Sequence, residues 1–242
     1  MDLVILAGGR GQRLGALTHK KHKGVLKMAG VPILTRILEQ WVGISAVNTI
    51  WVVTGYRSVD IDQLLRSAYP NEVATRKIIP VFGPGTTVGT LHRFACALKN
   101  GAGKGGAVIT GIDTLFVESD INDFVAYVAK SRAPIVISCS KEIHIAPTHP
   151  AARMRTDAII EYRTGAAQKI KPLAGRWYRD TGLRYFSQAE CHHLLQDAKQ
   201  KAYLGEFITA QIASGVKVQG YKLRRQWVHI ASPQDFTSSV PI

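Results

Sequence analysis

The segment LAGGRGQRLGALTHKKHKGVLK places Gly8, Gly9 and Gly11 directly after a short apolar run and follows them with Arg10, Arg13, Lys20, Lys21, Lys23 and Lys27. Glycines so spaced let backbone approach a ligand closely and adopt positive φ without steric cost, and consecutive N–H groups then form a nest for an anion. A plain tight turn is the bland alternative. Two common phosphate motifs do not fit. The dinucleotide fingerprint needs a third glycine and a later strand-end acid; Leu14 stands at that glycine position and no such acid follows. The Walker A pattern needs Gly-Lys-Ser/Thr, which is absent.

A nest of this kind needs a strand end to hold it. Short Val- and Ile-rich runs at 3–6, 49–54, 77–82, 106–110 and 134–140 predict strands. Between them, 32–43, 59–68, 88–99 and 120–130 carry apolar residues at helical spacing. Such alternation predicts an α/β layered domain around a mostly parallel sheet, in which ligands sit beyond the carboxyl ends of the strands. After about residue 145 the pieces shorten, with turn signals at Asp157 and Thr164–Gly165, and hairpin-like strands are expected there. Helices at 188–198 and 204–213, a strand in VKVQGYKL and a terminal helix after Pro233 complete the expectation. No linker-like stretch divides the chain, so one domain is expected.

Composition is that of an ordinary globular protein except for charge. The formal net charge is +14, from 31 Lys and Arg against 17 Asp and Glu, which points to anionic partners: nucleic acid, anionic lipid or nucleoside triphosphate. A nucleic-acid module should show a basic stripe with interleaved aromatics or a known motif. RRQW and KKHK are too short for that, so no nucleic-acid partner is expected. LVIL is too short for a signal sequence or a membrane span, and a cytoplasmic protein is expected. Cys96, Cys139 and Cys191 match no zinc or disulfide framework and read as buried, reduced thiols.

The opening segment, followed by KGVLKMAGVPIL, resembles the signature of sugar-phosphate-type nucleotidyltransferases, L-A-(G/A)-G-x-G-x-R-(L/M) and then P-K-x-(L/M)-(L/V). His22 stands at the family's proline, a change that leaves the assigned chemistry intact. TTVGTLHRFACAL resembles a stretch of choline-phosphate and inositol-phosphate cytidylyltransferases. VITGIDTLF resembles the strand that ends in the family's metal-binding aspartate, here Asp113. DTGLRYFS, FITAQIASGVKVQGYKL and WVHIASPQDF resemble later landmarks, so the likeness runs along nearly the whole chain in order.

This resemblance implies a single-domain, Rossmann-like three-layer sandwich over 1–242, with a nucleotide-binding part at 1–145 and an acceptor-binding part at 146–242. The implied reaction is attack of a phosphorylated small molecule on the α-phosphorus of a nucleoside triphosphate, with pyrophosphate leaving. Arg13, Lys23 and Asp113 would be catalytic. Leu6, Ala7, Gly8, Gly9 and Gly11 would hold the nucleotide, with Thr87 and Gly89 in the loop that reads the base. The TTVGTL likeness favours CTP. Asp180 and Lys169 would meet the acceptor, although a turn aspartate and solvated lysines at 169 and 171 read equally well. Glu206 reads as a first-turn helix acid. A homodimer is compatible with this reading.

Mg²⁺ is the implied cofactor, with Asp113 the best carboxylate for it. In the family a second carboxylate lies in W-x-D-I, but here that position is His229. Imidazole suits Mn²⁺, Co²⁺ or Zn²⁺ better than Mg²⁺. Three roles for His229 stay open: ligand of a softer metal, contact to phosphate, or mark of a degenerate site. The last would make the chain a regulatory relative that binds nucleotide without turnover.

Overall fold

A computed structural model describes residues 1–83, 89–141, 149–164 and 176–236. In chain order the strands are β1 (Asp2–Ala7), β2 (Lys27–Met28), β3 (Val31–Pro32), β4 (Ile50–Thr54), β5 (Ile78–Phe82), β6 (Ala107–Gly111), β7 (Thr114–Leu115), β8 (Ile135–Ser140), β9 (Ala151–Arg155), β10 (Ala158–Arg163), β11 (Trp177–Phe186), β12 (Val218–Lys222) and β13 (Val228–His229). The helices are α1 (Ile33–Trp41), α2 (Ser58–Ala68), α3 (Pro70–Ala74), α4 (Thr90–Lys99), α5 (Glu118–Lys130), α6 (Gln188–Asp197) and α7 (Leu204–Ala213). The residues after Pro233 form a 3₁₀ turn, Pro233–Phe236, where a terminal helix was expected.

Among the described residues the main sheet runs β5-β4-β1-β6-β11-β8-β12-β10-β9. Pairings β1–β4, β1–β6, β4–β5 and β8–β12 are parallel. Pairings of β11 with β6, β8 and β9, and of β10 with β9 and β12, are antiparallel. The sheet is therefore mixed, which corrects the expectation of a mostly parallel one. Strand–helix alternation predicts parallel neighbours only while each strand returns through a helix. From residue 149 on, β9 turns back into β10 through Thr156, whose φ is 58°, and β11 inserts in reverse between β6 and β8.

β1 is central and buried along its length, so its side chains alternate between two cores rather than between core and water. Leu3 and Ile5 pack with Ile33, Leu34 and Leu38 of α1, Ile61 and Leu65 of α2, and Phe124 of α5. Val4 faces the opposite core, with Leu91 and Phe94 of α4, Leu194 of α6, and Phe207 of α7. Helices thus cover both faces. Glu118 and Asp120 in the first turn of α5 oppose its N-terminal partial charge, which fits the start of the helix before residue 120.

This arrangement brings the carboxyl ends of β1 and β6 side by side. On β11, Asp180 pairs with Cys139 and Arg184 with Ile137, so Thr181, Gly182 and Leu183 face Ser138 alone. The bulge is made possible by Gly182 at φ 89° and turns the strand across the ligand edge.

Candidate active site

The cleft at this edge has a volume of about 630 Å³. Leu6, Gly9, Gly11, Arg13, Lys23, Asp113, Asp180 and His229 of the expected residues line it, together with Arg93, His149, Arg179, Arg184 and Trp227. Ala7, Gly8 and Gly89 do not reach its walls. Thr87 and Lys169 lie outside the described residues.

The glycine loop is shaped from below. A Cβ on Gly8 would collide with the side chain of Arg93, which reaches up from α4. Gly11 has φ 65°, and its carbonyl accepts from Leu14 N at 2.9 Å and Thr18 Oγ1 at 3.1 Å, which curls the chain into a 3₁₀ segment carrying Gln12 and Arg13. Gly89 serves packing: a Cβ there would strike the carbonyl of Ala202, which accepts from Leu91 N at 3.1 Å.

Lys23 is placed by His22. The buried His22 ring meets the Ala7 carbonyl through Nε2 at 2.7 Å and accepts from Gly24 N through Nδ1 at 2.9 Å. A ring that accepts at Nδ1 and donates at Nε2 is neutral. Burial is the main cause that pushes its pKa below 6.5, against the pull of the Ala7 carbonyl and Asp60. His22 N also donates to Asp60 Oδ2 at 2.6 Å. The end of β1, the lysine turn and the start of α2 are joined through one residue, His22: its ring reaches the first two and its backbone N–H the third. Gly24 permits the fit, since a Cβ there would come within 2.5 Å of Ile112 Cδ1.

Lys23 Nζ then lies 2.8 Å from Asp113 Oδ2. Asp113 follows Gly111, where a Cβ would sit 2.5 Å from Asp113 Oδ1, so the glycine leaves room for the carboxylate to fold back. The short ladder β7–β13 pairs Thr114 with His229, and Ile230 N donates to Asp113 O at 2.8 Å. As a result His229 Nε2 stands 3.6 Å from Asp113 Oδ2. Burial alone would raise the pKa of Asp113, but His229 and Lys23 outweigh it and hold the carboxyl well below the usual range. The group is a carboxylate at any working pH.

Behind His229, Arg179 Nη2 approaches Nδ1 at 3.3 Å. The Arg179 guanidinium lies over the Trp227 ring at 4.6 Å, and Trp227 stacks on Phe116 at 6.3 Å and 18°. His149 meets His229 edge-on at 6.3 Å. Its pKa falls to about 4, first through burial and then through Arg179 and His229, so the ring is neutral near pH 7.

Asp180 is fully engaged inside the protein. Its carboxylate accepts from Tyr162 Oη at 2.6 Å, Arg184 Nε at 2.8 Å and Gly182 N at 2.7 Å. Burial, and then the Asp180 charge, raises the Tyr162 pKa well above 10. Burial opposes the charge on Arg184, but Asp180 and Tyr162 outweigh it. This triad pins the bulge. Cys139 and Cys191 are buried free thiols, and Cys96 is half-buried.

The expected metal can be tested against these donors. No group of three or more His, Cys, Asp or Glu suited to a metal ion occurs among the described residues. Asp113 fits as a single carboxylate ligand of an ion that takes its other ligands from phosphate and water. His229 does not fit as the second ligand, because a metal-ligating imidazole donates its other N–H to an acceptor, whereas Nδ1 of His229 faces a guanidinium that can only donate.

Arg93, Arg179, Trp227 and His149 were not singled out from the sequence. Arg93 and Trp227 lie inside quoted motifs, in TLHRFACAL and WVHI, and Arg179 precedes Asp180. Membership of those motifs is the available signal for these three, and His149 lies in no such motif.

Comparison with known proteins bears on the family and the fold. The model of the MobA-like NTP transferase domain matches residues 3–194. The UTP–glucose-1-phosphate uridylyltransferase AglF of Haloferax volcanii is 43% identical over 63 residues, 26% of this chain and 26% of that protein. The bifunctional protein GlmU of Methanococcus vannielii is 33% identical over 127 residues, 52% of this chain and 28% of that protein. The matched stretches thus span about a quarter of the length of these curated relatives. Among solved structures, the inositol-1-phosphate CTP transferase from T. maritima aligns at TM-score 0.77 and 16% identity, over 97% of this chain and 90% of that one. A putative glucose-1-phosphate thymidylyltransferase from Bacillus anthracis, in complex with a sucrose, aligns at 0.75 and 15% identity, over 98% and 92%. At these identities the structural likeness speaks for the fold.

Proposed function

The chain belongs to the MobA-like NTP transferase domain family, and on that premise we propose that it transfers a nucleotidyl group from a nucleoside triphosphate to a phosphorylated small molecule, releasing pyrophosphate. The observation that carries this reading is the Lys23–Asp113 pair, 2.8 Å apart, in one cleft with the glycine loop and Arg13. An acceptor phosphate oxygen attacks the α-phosphorus, a new phosphoanhydride bond forms, and the α–β bond breaks with its electron pair leaving on pyrophosphate. Such a reaction asks the protein to hold two polyanions in line and to neutralise charge as it moves.

Each residue follows from that demand. Gly9 and Gly11 leave the loop open to the triphosphate, and Arg13 and Lys23 supply positive charge in the same cleft. Arg93, buried under the loop, adds a third cation to the same wall. Asp113 would hold a divalent cation, Mg²⁺ above all, which when bound neutralises phosphate charge. Asp180 acts on the acceptor through the shape of the bulge, with Thr181 and Gly182 at the cleft surface.

The acceptor class is a sugar, polyol or amino-alcohol phosphate, supported by the sugar-phosphate names of the relatives. CTP is the favoured triphosphate. Its support is the likeness of TTVGTLHRFACAL to cytidylyltransferase sequence and the name of one structural neighbour. The protein would work in the cytoplasm as one domain, alone or as a homodimer. No helix among the described residues is long and apolar enough to cross a membrane.

The test is a panel of four triphosphates against phosphorylated sugars, polyols and amino alcohols, read by pyrophosphate release and by the mass of a nucleoside-diphosphate-linked product. One triphosphate–acceptor pair should give both signals. Nucleotide binding without product from any pair would replace the transferase by a regulatory binding protein.

A further inference from the structure

His229 stands where the family signature has a carboxylate, and its surroundings say what it contributes. Arginine carries five N–H donors and no acceptor. The 3.3 Å approach of Arg179 Nη2 to Nδ1 is therefore a hydrogen bond only if Nδ1 offers its lone pair. In a neutral ring that leaves the hydrogen on Nε2. A metal-ligating histidine has the opposite arrangement, with its outer nitrogen donating to a carboxylate, carbonyl or water.

The ring is held in this orientation from three sides. Its backbone pairs with Thr114, its plane stacks on Trp227 at 6.4 Å and 24°, and the edge of His149 closes the third side. Trp227 in turn carries the Arg179 guanidinium at 4.6 Å, which fixes the donor relative to the ring that receives it. Nε2 then faces Asp113 Oδ2 at 3.6 Å, on the cleft side, beside the Lys23 ammonium.

We infer that His229 takes part in this site as a hydrogen-bond donor, giving its Nε2–H to a phosphoryl oxygen of the bound substrates, and that it is not a metal ligand. The inference rests on the nucleotidyl-transfer reading for the identity of its partner, but not for the tautomer. Replacement of a carboxylate by an N–H donor gives the phosphates a direct protein contact where relatives with aspartate would reach them through a cation. Among the described residues of the cleft, Asp113 is left as the carboxylate available to an ion, since Asp180 is taken up by Tyr162, Arg184 and Gly182.

The decisive experiment is long-range ¹H–¹⁵N NMR of ¹⁵N-histidine-labelled protein at pH 8, with the His229 signals assigned by their loss in His229→Gln. The expected spectrum shows a protonated Nε2 and a bare Nδ1, unchanged when Mg²⁺ or Zn²⁺ is added. A bare Nε2, or a coordination shift of Nε2 on adding either metal, overturns the inference. A second arm measures CTP binding by calorimetry in EDTA. His229→Gln, which keeps an N–H, should bind within about threefold of the wild type, and His229→Leu on the order of tenfold more weakly. Equal affinity in His229→Leu overturns the phosphate contact; should that variant not fold, the wild-type spectrum recorded with and without saturating CTP decides, since an Nε2–H signal unmoved by CTP overturns the contact. A bare Nε2 in a protein that releases pyrophosphate would defeat this inference alone and leave nucleotidyl transfer standing.

Discussion

Lys23 and Asp113 form the smallest unit that carries the chemistry, and each can be tested by a single substitution. Lys23→Ala takes away a desolvated charge aimed at phosphate, a loss worth a few kcal/mol, so triphosphate affinity or turnover should fall by at least about tenfold. Unchanged titration curves would remove Lys23 from the site. The resemblance in sequence named Lys23, Asp113 and His229, and the structure brings all three within one 4 Å neighbourhood through Asp113 Oδ2. Their mutual contacts were not legible, because His229 reaches Asp113 through a two-residue ladder that no periodicity announces. His22 was legible only as a missing proline. The structure shows a neutral buried ring whose two nitrogens hold the lysine turn to the end of β1.

That ring gives a pH prediction. Its pKa is lowered in the folded state, so the unfolded chain binds the extra proton more readily and stability is present in full above about pH 6.5. Stability is lost as pH falls below that value and through the lowered folded pKa. The melting temperature of the wild type should therefore drop between pH 7 and 5. In His22→Gln, which has a lower baseline and nothing to titrate there, the drop should be shallower. His149 contributes to the same window, with a folded value near 4, and should remain as the residual slope in that variant. Equal slopes in the two proteins would show that His22 is not held neutral by the fold.

At the scale of elements, β11 does the most to shape the site and was the least legible. Strands β1, β4, β5, β6 and β8 stand within a residue or two of their expected positions, because continuous Val/Ile runs bounded by turns have one reading. β11 has ten residues where the sequence offers only DTGLRYFS as a landmark, and it runs antiparallel between β6 and β8. Its direction depends on partners far away in sequence. The bulge at Thr181–Leu183 rests on Gly182 in left-handed backbone, and an added Cβ meets nothing closer than Thr114 Oγ1 at 3.9 Å. Gly182→Ala is thus a test of backbone strain alone. It should lower unfolding free energy by about 1–2 kcal/mol in denaturant titration, with a larger proportional loss in turnover than in folded fraction. Stability equal to the wild type would mean that the bulge does not depend on the glycine. Asp180, Tyr162 and Arg184 brace the same bulge from below, so the aspartate expected to touch the acceptor is bonded instead within the protein.

For the whole molecule, part of the excess of positive charge acquires a location. Among the described residues, Arg13, Lys23, Arg93, Arg179 and Arg184 line one cleft with Asp113 and Asp180 as its carboxylates, and both carboxylates face cations. Composition could announce an anionic partner but not place it, since cleft residues come from the glycine loop and lysine turn after β1, from β6 and the turn that follows it, from α4, from β11, from His149 and Pro150, and from the segment around His229. Helices on both faces of a mixed sheet hold those pieces in register, with one hydrophobic core on each side of the sheet. The most direct measurement of the central claim is pyrophosphate release by the wild type and by Asp113→Asn, with the best triphosphate, the best phosphorylated acceptor and saturating Mg²⁺. Asp113→Asn keeps the shape and removes the charge. The wild type should release pyrophosphate in equal amount to the nucleotide-linked product, and the folded Asp113→Asn protein should fall by at least about a hundredfold, as expected when a group acting on transition-state charge is lost. Pyrophosphate release by Asp113→Asn at the wild-type rate would contradict the account.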